Sequence, residues 1–148
     1  MRIATFNVQS LRLRGDHLSG AHDDDTPERA DRVLDHRDRL LTARVIRDLD
    51  ADILALQEVF DSATLDHFHD HYLRAAGVPP YPHRICLPGN DGRGLDIAVL
   101  SRKPPHEVVS HAALLPADLG LAVPPGLHAE TPIFRRDCLR LELTGLTL

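Results

Sequence analysis

Two polar side chains, Asn7 and Glu58, stand where apolar, strand-like segments of the sequence end. Asn7 closes the segment 2–7, and Glu58 follows the apolar run Ile53–Leu56 by two residues. A carboxylate beside an amide suits Mg²⁺, which takes oxygen ligands, keeps several of its waters and needs few protein groups. A bound cation of this kind can neutralise a phosphate and position a water molecule. The pair therefore indicates a metal site at which a phosphate ester could react.

The chain between these two residues predicts the elements that must hold them together. Thr26-Pro27-Glu28 combines a capping hydroxyl, a proline at the first helical position and an acid in the first turn, which predicts a helix start. The apolar stripe expected to pack this helix on a sheet is Ala30, Val33/Leu34, Leu40/Leu41, Val45 and Leu49. A strand, a helix and a second strand in this order predict a right-handed crossover between parallel strands.

Neighbouring strands lie about 5 Å apart, so the crossover would place Asn7 and Glu58 side by side at one rim of the sheet. In α/β folds, ligands gather outside the carboxyl ends of the strands, which is where this pair would lie. The spacing alone leaves an alternative open. Glu58 could be an exposed strand-end residue, and Asn7 could be a turn residue.

The rest of the chain predicts further elements around this unit. A second helix is expected over Ser62–Ala76, with Leu65, Phe68, Tyr72 and Leu73 on its apolar side and Gly77 as its stop. The predicted strands are 2–7 (buried), 53–56, 83–87, 95–101, 108–109, 138–143 and 146–148, and the predicted irregular segments are the polar loop 8–25 and the proline-rich excursion 103–132.

Composition and charge exclude several classes of protein. The length of 148 residues, with 43% hydrophobic and 26% charged residues, is typical of one ordinary globular domain. No apolar stretch approaches the roughly 20 residues that cross a bilayer, and no secretory signal is visible, so a cytoplasmic location is the default. The net charge of −5 argues against a protein that coats nucleic acid non-specifically. Cys86 and Cys138 are expected to be free thiols in apolar strands, with a disulfide as the alternative.

Four stretches of the sequence resemble motifs of the endonuclease/exonuclease/phosphatase superfamily, which has the deoxyribonuclease-I-like fold. They run in family order across nearly the whole chain, and the stretch Leu-Gln-Glu-Val after a helix is quite specific. The four are Thr5-Phe6-Asn7-Val8-Gln9, Asp52 to Val59 (DILALQEV), Gly94 to Arg102 (GLDIAVLSR) and Phe134-Arg135-Arg136-Asp137.

This resemblance implies an α/β (α+β) chain built as a four-layer sandwich, with Mg²⁺ or Mn²⁺ as cofactor. Glu58 would be the metal-ligating carboxylate, and Asn7 would help to hold the metal or the phosphate beside it. Arg136 would face the phosphate, although Arg135 in its place, or a surface role, stays open. Asp96 could be an inward polar group near the site, but a place on the strand face is favoured.

The end of the sequence suggests that it covers about the first half of such a domain. Thr144-Gly145 predicts a turn, and Leu146–Leu148 begins a returning strand; a short edge strand is the alternative. In the family, a catalytic histidine, an Asp-x-Asn motif and an Asp-His pair follow. These groups would activate the attacking water, so residues 1–148 alone are expected to be inactive.

Three weaker signals favour structural interpretations. In His67-Phe68-His69-Asp70-His71, a helix would place only His67 and His71 on one face, with His69 pointing away. A solvated helix face is preferred there over a metal site. The loop Gly89–Gly94 is interpreted as a turn rather than a phosphate cradle, and the acidic run Asp23–Asp25 as a solvated loop.

The leading hypothesis is a metal-dependent phosphoesterase that cleaves a phosphodiester or a phosphomonoester. The resemblance implies a nucleic acid, an inositol phosphate or a phospholipid head group as substrate. The net negative charge slightly disfavours long nucleic acid. A non-catalytic remnant or interaction module of the same fold is the alternative. The sequence carries no signal for an oligomeric state.

Overall fold

The computed structural model describes residues 1–20 and 32–148. The predicted helix start at Thr26 and the acidic run Asp23–Asp25 lie outside these residues. In chain order the elements are β1 (Ile3–Leu11), β2 (Leu13–Arg14), β3 (His17–Leu18), α1 (Arg32–Leu49), β4 (Ile53–Val59), α2 (Ser62–Phe68), a π-helical turn (His69–Leu73), β5 (His83–Cys86), β6 (Asp96–Ser101), β7 (Glu107–Val109), a 3₁₀ helix (Pro116–Leu119), β8 (Arg140–Leu143) and β9 (Leu146–Thr147).

The main sheet has four strands in the order β1-β4-β6-β5. Strands β1 and β4 are parallel neighbours, with Ile3 opposite Ile53 and Asn7 opposite Gln57. Strands β6 and β5 then continue the sheet in antiparallel fashion. The predicted parallel pairing is confirmed, and the strands predicted at 83–87 and 95–101 form a hairpin. The fold is of the α+β class, consistent with the deoxyribonuclease-I-like fold.

Strand β1 differs from its prediction in length and in burial. It runs four residues past Asn7, to Leu11, and the expected polar loop is replaced in part by the small hairpin of β2 and β3. Only Val8 and Leu11 are buried in it, whereas Ile3 is 44% exposed. The alternating residues Ile3, Thr5 and Asn7 are exposed, because the second sheet packs on β4 and β6 and not on this face of β1. The prediction of a buried strand was wrong.

Helix α1 packs through a different face from the one that its apolar residues predict. Its buried residues are Asp35, Arg39, Ala43 and Ile46, which recur at helical spacing. Ala30 of the predicted stripe lies outside the described residues. The stripe is exposed at Val33, Leu34, Leu41 and Val45, and of its described members only Leu40 packs against the core. The prediction was wrong because two charged side chains occupy the inward face, a placement that an apolar pattern cannot reveal.

The second helical segment follows its prediction closely. Leu65, Phe68, Tyr72 and Leu73 are all buried, as expected. The helix changes from α to π at His69, and the chain leaves it at Gly77, whose φ of 84° suits a residue without a side chain.

Two hydrophobic clusters lie on opposite faces of the main sheet. Leu54, Leu56 and Leu100 belong to a cluster that includes residues of α1 and α2, whereas Ile53 and Val99 pack with Leu141 and Leu143 of the second sheet. That second sheet has three strands in the order β7-β8-β9. The described residues thus form a helix layer, a four-stranded sheet and a three-stranded sheet.

The segment between β7 and β8 is an irregular excursion, as its prolines predict, with exposed apolar side chains at Leu119, Leu121, Val123 and Leu127. Within residues 1–20 and 32–148, no helix is long and apolar enough to cross a membrane. Both cysteines are free thiols, although Cys138 lies just before β8 rather than in a strand. Burial raises the pKa of Cys86 to about 12.

Candidate metal and phosphate site

Asn7 and Glu58 meet at the end of the paired strands β1 and β4, and a double irregularity in the sheet brings them there. Asn7 is opposite Gln57, so a regular strand would send the side chain of Glu58 to the other face of the sheet. Instead the register slips on both sides of Glu58, between β4 and β1 and between β4 and β6. Bulges of this kind redirect a side chain beside a functional site. Glu58 itself has a φ of 68°.

The opposite strand is irregular at the same level. Three residues of β1 lie between the last regular pair, at Asn7, and the next pair, at Leu11. Two of them, Gln9 and Ser10, have φ values of 50° and 48°. Left-handed backbone at a non-glycine residue costs about 1–2 kcal/mol, so this strain must be offset by contacts elsewhere.

The strained turn donates its amides to the two predicted site residues. The N–H of Gln9 donates to Asn7 Oδ1 over 2.8 Å, and the N–H of Ser10 donates to Glu58 Oε2 over 3.2 Å. Burial raises the pKa of Glu58, but hydrogen bonds from Asn7 and from the Ser10 N–H, together with the charge of Arg136, outweigh it and lower that pKa. Glu58 is therefore ionised at neutral pH. The cluster of Asn7 and Glu58 with these amides is termed the Asn7–Glu58 corner below.

Arg136 lies beside the Asn7–Glu58 corner and is shared between two carboxylates. Its Nη2 is 3.6 Å from Glu58 Oε1, and its Nε donates to Asp91 Oδ2 over 3.3 Å. Arg135, the residue left open as an alternative, is exposed and lines a separate groove with Asn90, Leu127, Ile133 and Phe134. The structure thus places Arg136 rather than Arg135 next to Glu58.

Asp91 is a site residue that sequence reasoning missed. Its side chain is 2% exposed and accepts hydrogen bonds from the side chain and the backbone N–H of Arg93, and from Arg136. The guanidinium and N–H of Arg93, with the further bond from Arg136, hold the pKa of Asp91 well below its usual range. The loop Gly89–Gly94 was interpreted as a turn only, and its length beyond a tight hairpin was the one available signal of a further role.

Asp96 is buried at the start of β6 and does not reach the Asn7–Glu58 corner. Its Oδ1 accepts the N–H of Gly89 over 2.8 Å. Burial, with the nearby charges of Asp91 and Asp137, raises its pKa. Asp96 therefore supports the loop that carries Asp91. This is the inward position near the site that the sequence left open, rather than the favoured place on the strand face.

The donor atoms at the corner fit a hard divalent cation. No group of three or more His, Cys, Asp or Glu side chains with metal-binding geometry occurs in the part of the chain that the structure describes. Mg²⁺ takes one or two carboxylates and keeps several waters. Asn7 Oδ1 accepts one hydrogen bond, so one of its lone pairs remains for a cation.

The histidine-rich segment 67–71 lies apart from these contacts. His67 and His71 share a helix face, as predicted, with ring centroids 4.4 Å apart. His69, expected to point away from that face, is buried. Its Nδ1 is 2.6 Å from Asp70 Oδ1, and its Nε2 accepts the N–H of Tyr81. His69 is a satisfied core residue, which the helical spacing alone did not show.

Comparison with known proteins gives one finding. A family model described as the Endonuclease/Exonuclease/phosphatase family matches residues 4–142 of the chain. A search of curated proteins returned no match. The family match contains Asn7, Glu58, Asp91 and Arg136.

Proposed function

The chain belongs to the endonuclease/exonuclease/phosphatase family, whose substrates are phosphate esters, and from this premise we propose that it serves a metal-dependent phosphoesterase through the Asn7–Glu58 corner. The reaction is the hydrolysis of a phosphodiester or a phosphomonoester. Water attacks phosphorus in line with the ester oxygen, a new P–O bond forms, and the bond to the leaving oxygen breaks. The observation that carries this proposal is the ionised Glu58 held between Asn7, the Ser10 N–H and Arg136.

Glu58 and Asn7 would hold Mg²⁺, or Mn²⁺ in its place. When bound, such an ion neutralises phosphate charge and makes a bound water easier to deprotonate. The residues themselves prepare the place for it. The Ser10 N–H orients one carboxylate oxygen of Glu58, and the Gln9 N–H orients the amide of Asn7.

Arg136 would bind the phosphate of the substrate. A guanidinium has five N–H donors in a fixed plane, and those not directed at Glu58 and Asp91 can pair with phosphate oxygens. Asp91 keeps the Arg136 side chain beside Glu58, so metal and phosphate would be held by adjacent groups.

The proton transfers need a further group. No histidine in residues 1–20 or 32–148 is hydrogen-bonded to Glu58, Asp91 or Arg136, and Arg136 cannot act as a base. A nucleic acid, an inositol phosphate and a phospholipid head group all carry the required ester, and the net charge of −5 favours the smaller substrates over long nucleic acid.

Metal binding can be tested by electron paramagnetic resonance of free Mn²⁺ titrated with the protein. Glu58→Gln should weaken Mn²⁺ binding at least tenfold, because the variant removes the charged ligand. Glu130→Gln, at an exposed position of the excursion, is the matched control and should leave the affinity unchanged.

Phosphate binding can be tested by ³¹P NMR titration of inorganic phosphate in the presence of Mg²⁺. Arg136→Met should abolish the shift, whereas Arg135→Met should retain it. Equal affinities of Mn²⁺ for the original protein and Glu58→Gln, with no phosphate binding to either, would contradict the proposal and support a non-catalytic module.

A further inference from the structure

Arg39 is a buried charge that the proposed reaction does not use directly. It lies on the inward face of helix α1 and is 0% exposed. Asp35, one turn earlier on the same face, is buried as well. Burying a guanidinium costs several kcal/mol unless hydrogen bonds satisfy it, so its partners indicate what the side chain is for.

The partners of Arg39 include three backbone carbonyls, two of which lie at the strained end of β1. Its Nη1 donates to the carbonyl of Val8 over 2.5 Å, and its Nη2 donates to the carbonyl of Gln9 over 2.8 Å. Its Nε donates to the carbonyl of Ser19, next to β3. One planar group thus ties helix α1 to two separate segments of the N-terminal region.

The carbonyls of Val8 and Gln9 belong to the segment that carries the two amides of the Asn7–Glu58 corner. Gln9 and Ser10 have left-handed backbone, and their N–H groups donate to Asn7 Oδ1 and Glu58 Oε2. Rotation of this segment toward ordinary strand geometry would turn both amides away. A strained backbone persists only where its surroundings hold it, and hydrogen bonds from a charged donor are stronger than those from a neutral one.

We infer that Arg39 is a positioning residue for the site: it holds residues 8–10 in the left-handed turn that orients Asn7 and Glu58. The inference rests on the proposed function only in taking Glu58 and Asn7 as the metal corner. The hold on the backbone itself is a property of the fold. A lysine cannot replace the guanidinium here, because a single ammonium lacks the planar fork that reaches all three carbonyls.

The test compares Arg39→Lys with Arg44→Lys, an exposed position on the same helix. Amide hydrogen exchange measured by NMR reports on the turn without any metal. In Arg39→Lys, the amides of Gln9 and Ser10 should exchange about fivefold faster, as expected for the loss of about one hydrogen bond. The amides of Leu54 and Leu56 in the central strand should change much less. Arg44→Lys should leave all four rates unchanged.

Mn²⁺ affinity is the second readout. Groups that orient metal ligands typically change affinity 10–100-fold, so Arg39→Lys should weaken Mn²⁺ binding about tenfold while Arg44→Lys does not. An equal acceleration of exchange at Gln9, Ser10, Leu54 and Leu56 would mean general destabilisation and would overturn the inference, as would unchanged rates at Gln9 and Ser10. If the original protein binds no Mn²⁺, the proposed function fails, and the exchange rates still decide whether Arg39 holds the turn.

Discussion

At the scale of single residues, the candidate site depends on backbone conformations that most side chains avoid. Glu58, Gln9 and Ser10 all have positive φ, and they meet where β1 and β4 end. Such strain is retained in proteins where the surrounding structure holds it, and it is concentrated at functional sites. In a regular strand, the carboxylate of Glu58 would lie on the face of the sheet opposite to Asn7. The strained backbone instead turns it to the same face as Asn7.

The strain at Glu58 predicts an unusual preference for glycine. Glu58→Gly should be more stable than Glu58→Ala by about 1 kcal/mol, because only glycine adopts a φ of 68° without steric cost. The free energy of unfolding in urea measures the difference. The neighbouring residue is the control: in the regular strand, Gln57→Gly should be less stable than Gln57→Ala. The same order at both positions would show that Glu58 is not strained.

Gly89 permits a close approach between the loop that carries Asp91 and the segment that carries Arg136. A Cβ added there would lie 3.0 Å from Asp96 Oδ1 and 3.2 Å from the backbone of Arg136. Gly89→Ala should therefore cost about 1–3 kcal/mol and displace Arg136, which would weaken phosphate binding.

Gly92→Ala is the matched control for Gly89→Ala, since a Cβ at Gly92 would meet nothing within 4 Å. Thermal unfolding and ³¹P NMR titration should show an effect for Gly89→Ala alone. Equal losses of stability in the two variants would contradict the role assigned to the close approach.

At the scale of secondary-structure elements, helix α1 turns charged side chains, and not its apolar stripe, toward the core. Its inward face carries Arg39 and Asp35, while Val45 is 45% exposed and Leu41 is 57% exposed. The helix gains core contacts through Ala43 and Ile46, and it also supplies hydrogen bonds to β1 through Arg39. It therefore supports the site as well as the core.

This orientation of α1 predicts unequal costs for adjacent truncations. Ile46→Ala should destabilise the protein by about 2–5 kcal/mol, because Ile46 is 1% exposed and leaves a cavity. Val45→Ala, one residue away, should change the free energy of unfolding by less than about 0.5 kcal/mol. The two midpoints in urea give the comparison. A larger loss of unfolding free energy for Val45→Ala than for Ile46→Ala would show that the helix packs through the face predicted from the apolar stripe.

At the scale of the whole molecule, the site lies where the two sheets come together. Asn7 and Glu58 belong to the four-stranded sheet, Asp91 to the loop between its strands β5 and β6, and Arg136 to the segment that leads into β8 of the three-stranded sheet. The pair of Asp91 and Arg136 is thus a polar link between the sheets, in addition to the apolar contact of Ile53 and Val99 with Leu141 and Leu143. The cytoplasmic location stays a prediction.

The link through Asp91 should make part of the stability depend on pH. The pKa of Asp91 is lowered in the folded state, so its contribution is complete above its ordinary pKa and is lost as pH falls through the lower, folded value. Asp91→Asn should therefore lower the melting temperature at about pH 5 to 7, and the difference should narrow toward about pH 2. Glu130→Gln is the control and should show no such trend. A difference independent of pH would show that the charge of Asp91 does not stabilise the fold.

The sequence by itself determined the family, the α+β class, the parallel pairing of β1 with β4 and the two strands that carry Asn7 and Glu58. Strand periodicity and local motifs encode these features, because they depend on residues close together in the chain. Only the tertiary structure decided that bulges turn Glu58 toward Asn7, that Asp91 holds Arg136 beside them and that Arg39 lies under the turn. Those contacts join residues 30 to 50 positions apart in the chain. They depend on backbone carbonyls, buried charges and positive φ angles, and none of these leaves a periodic pattern in the sequence.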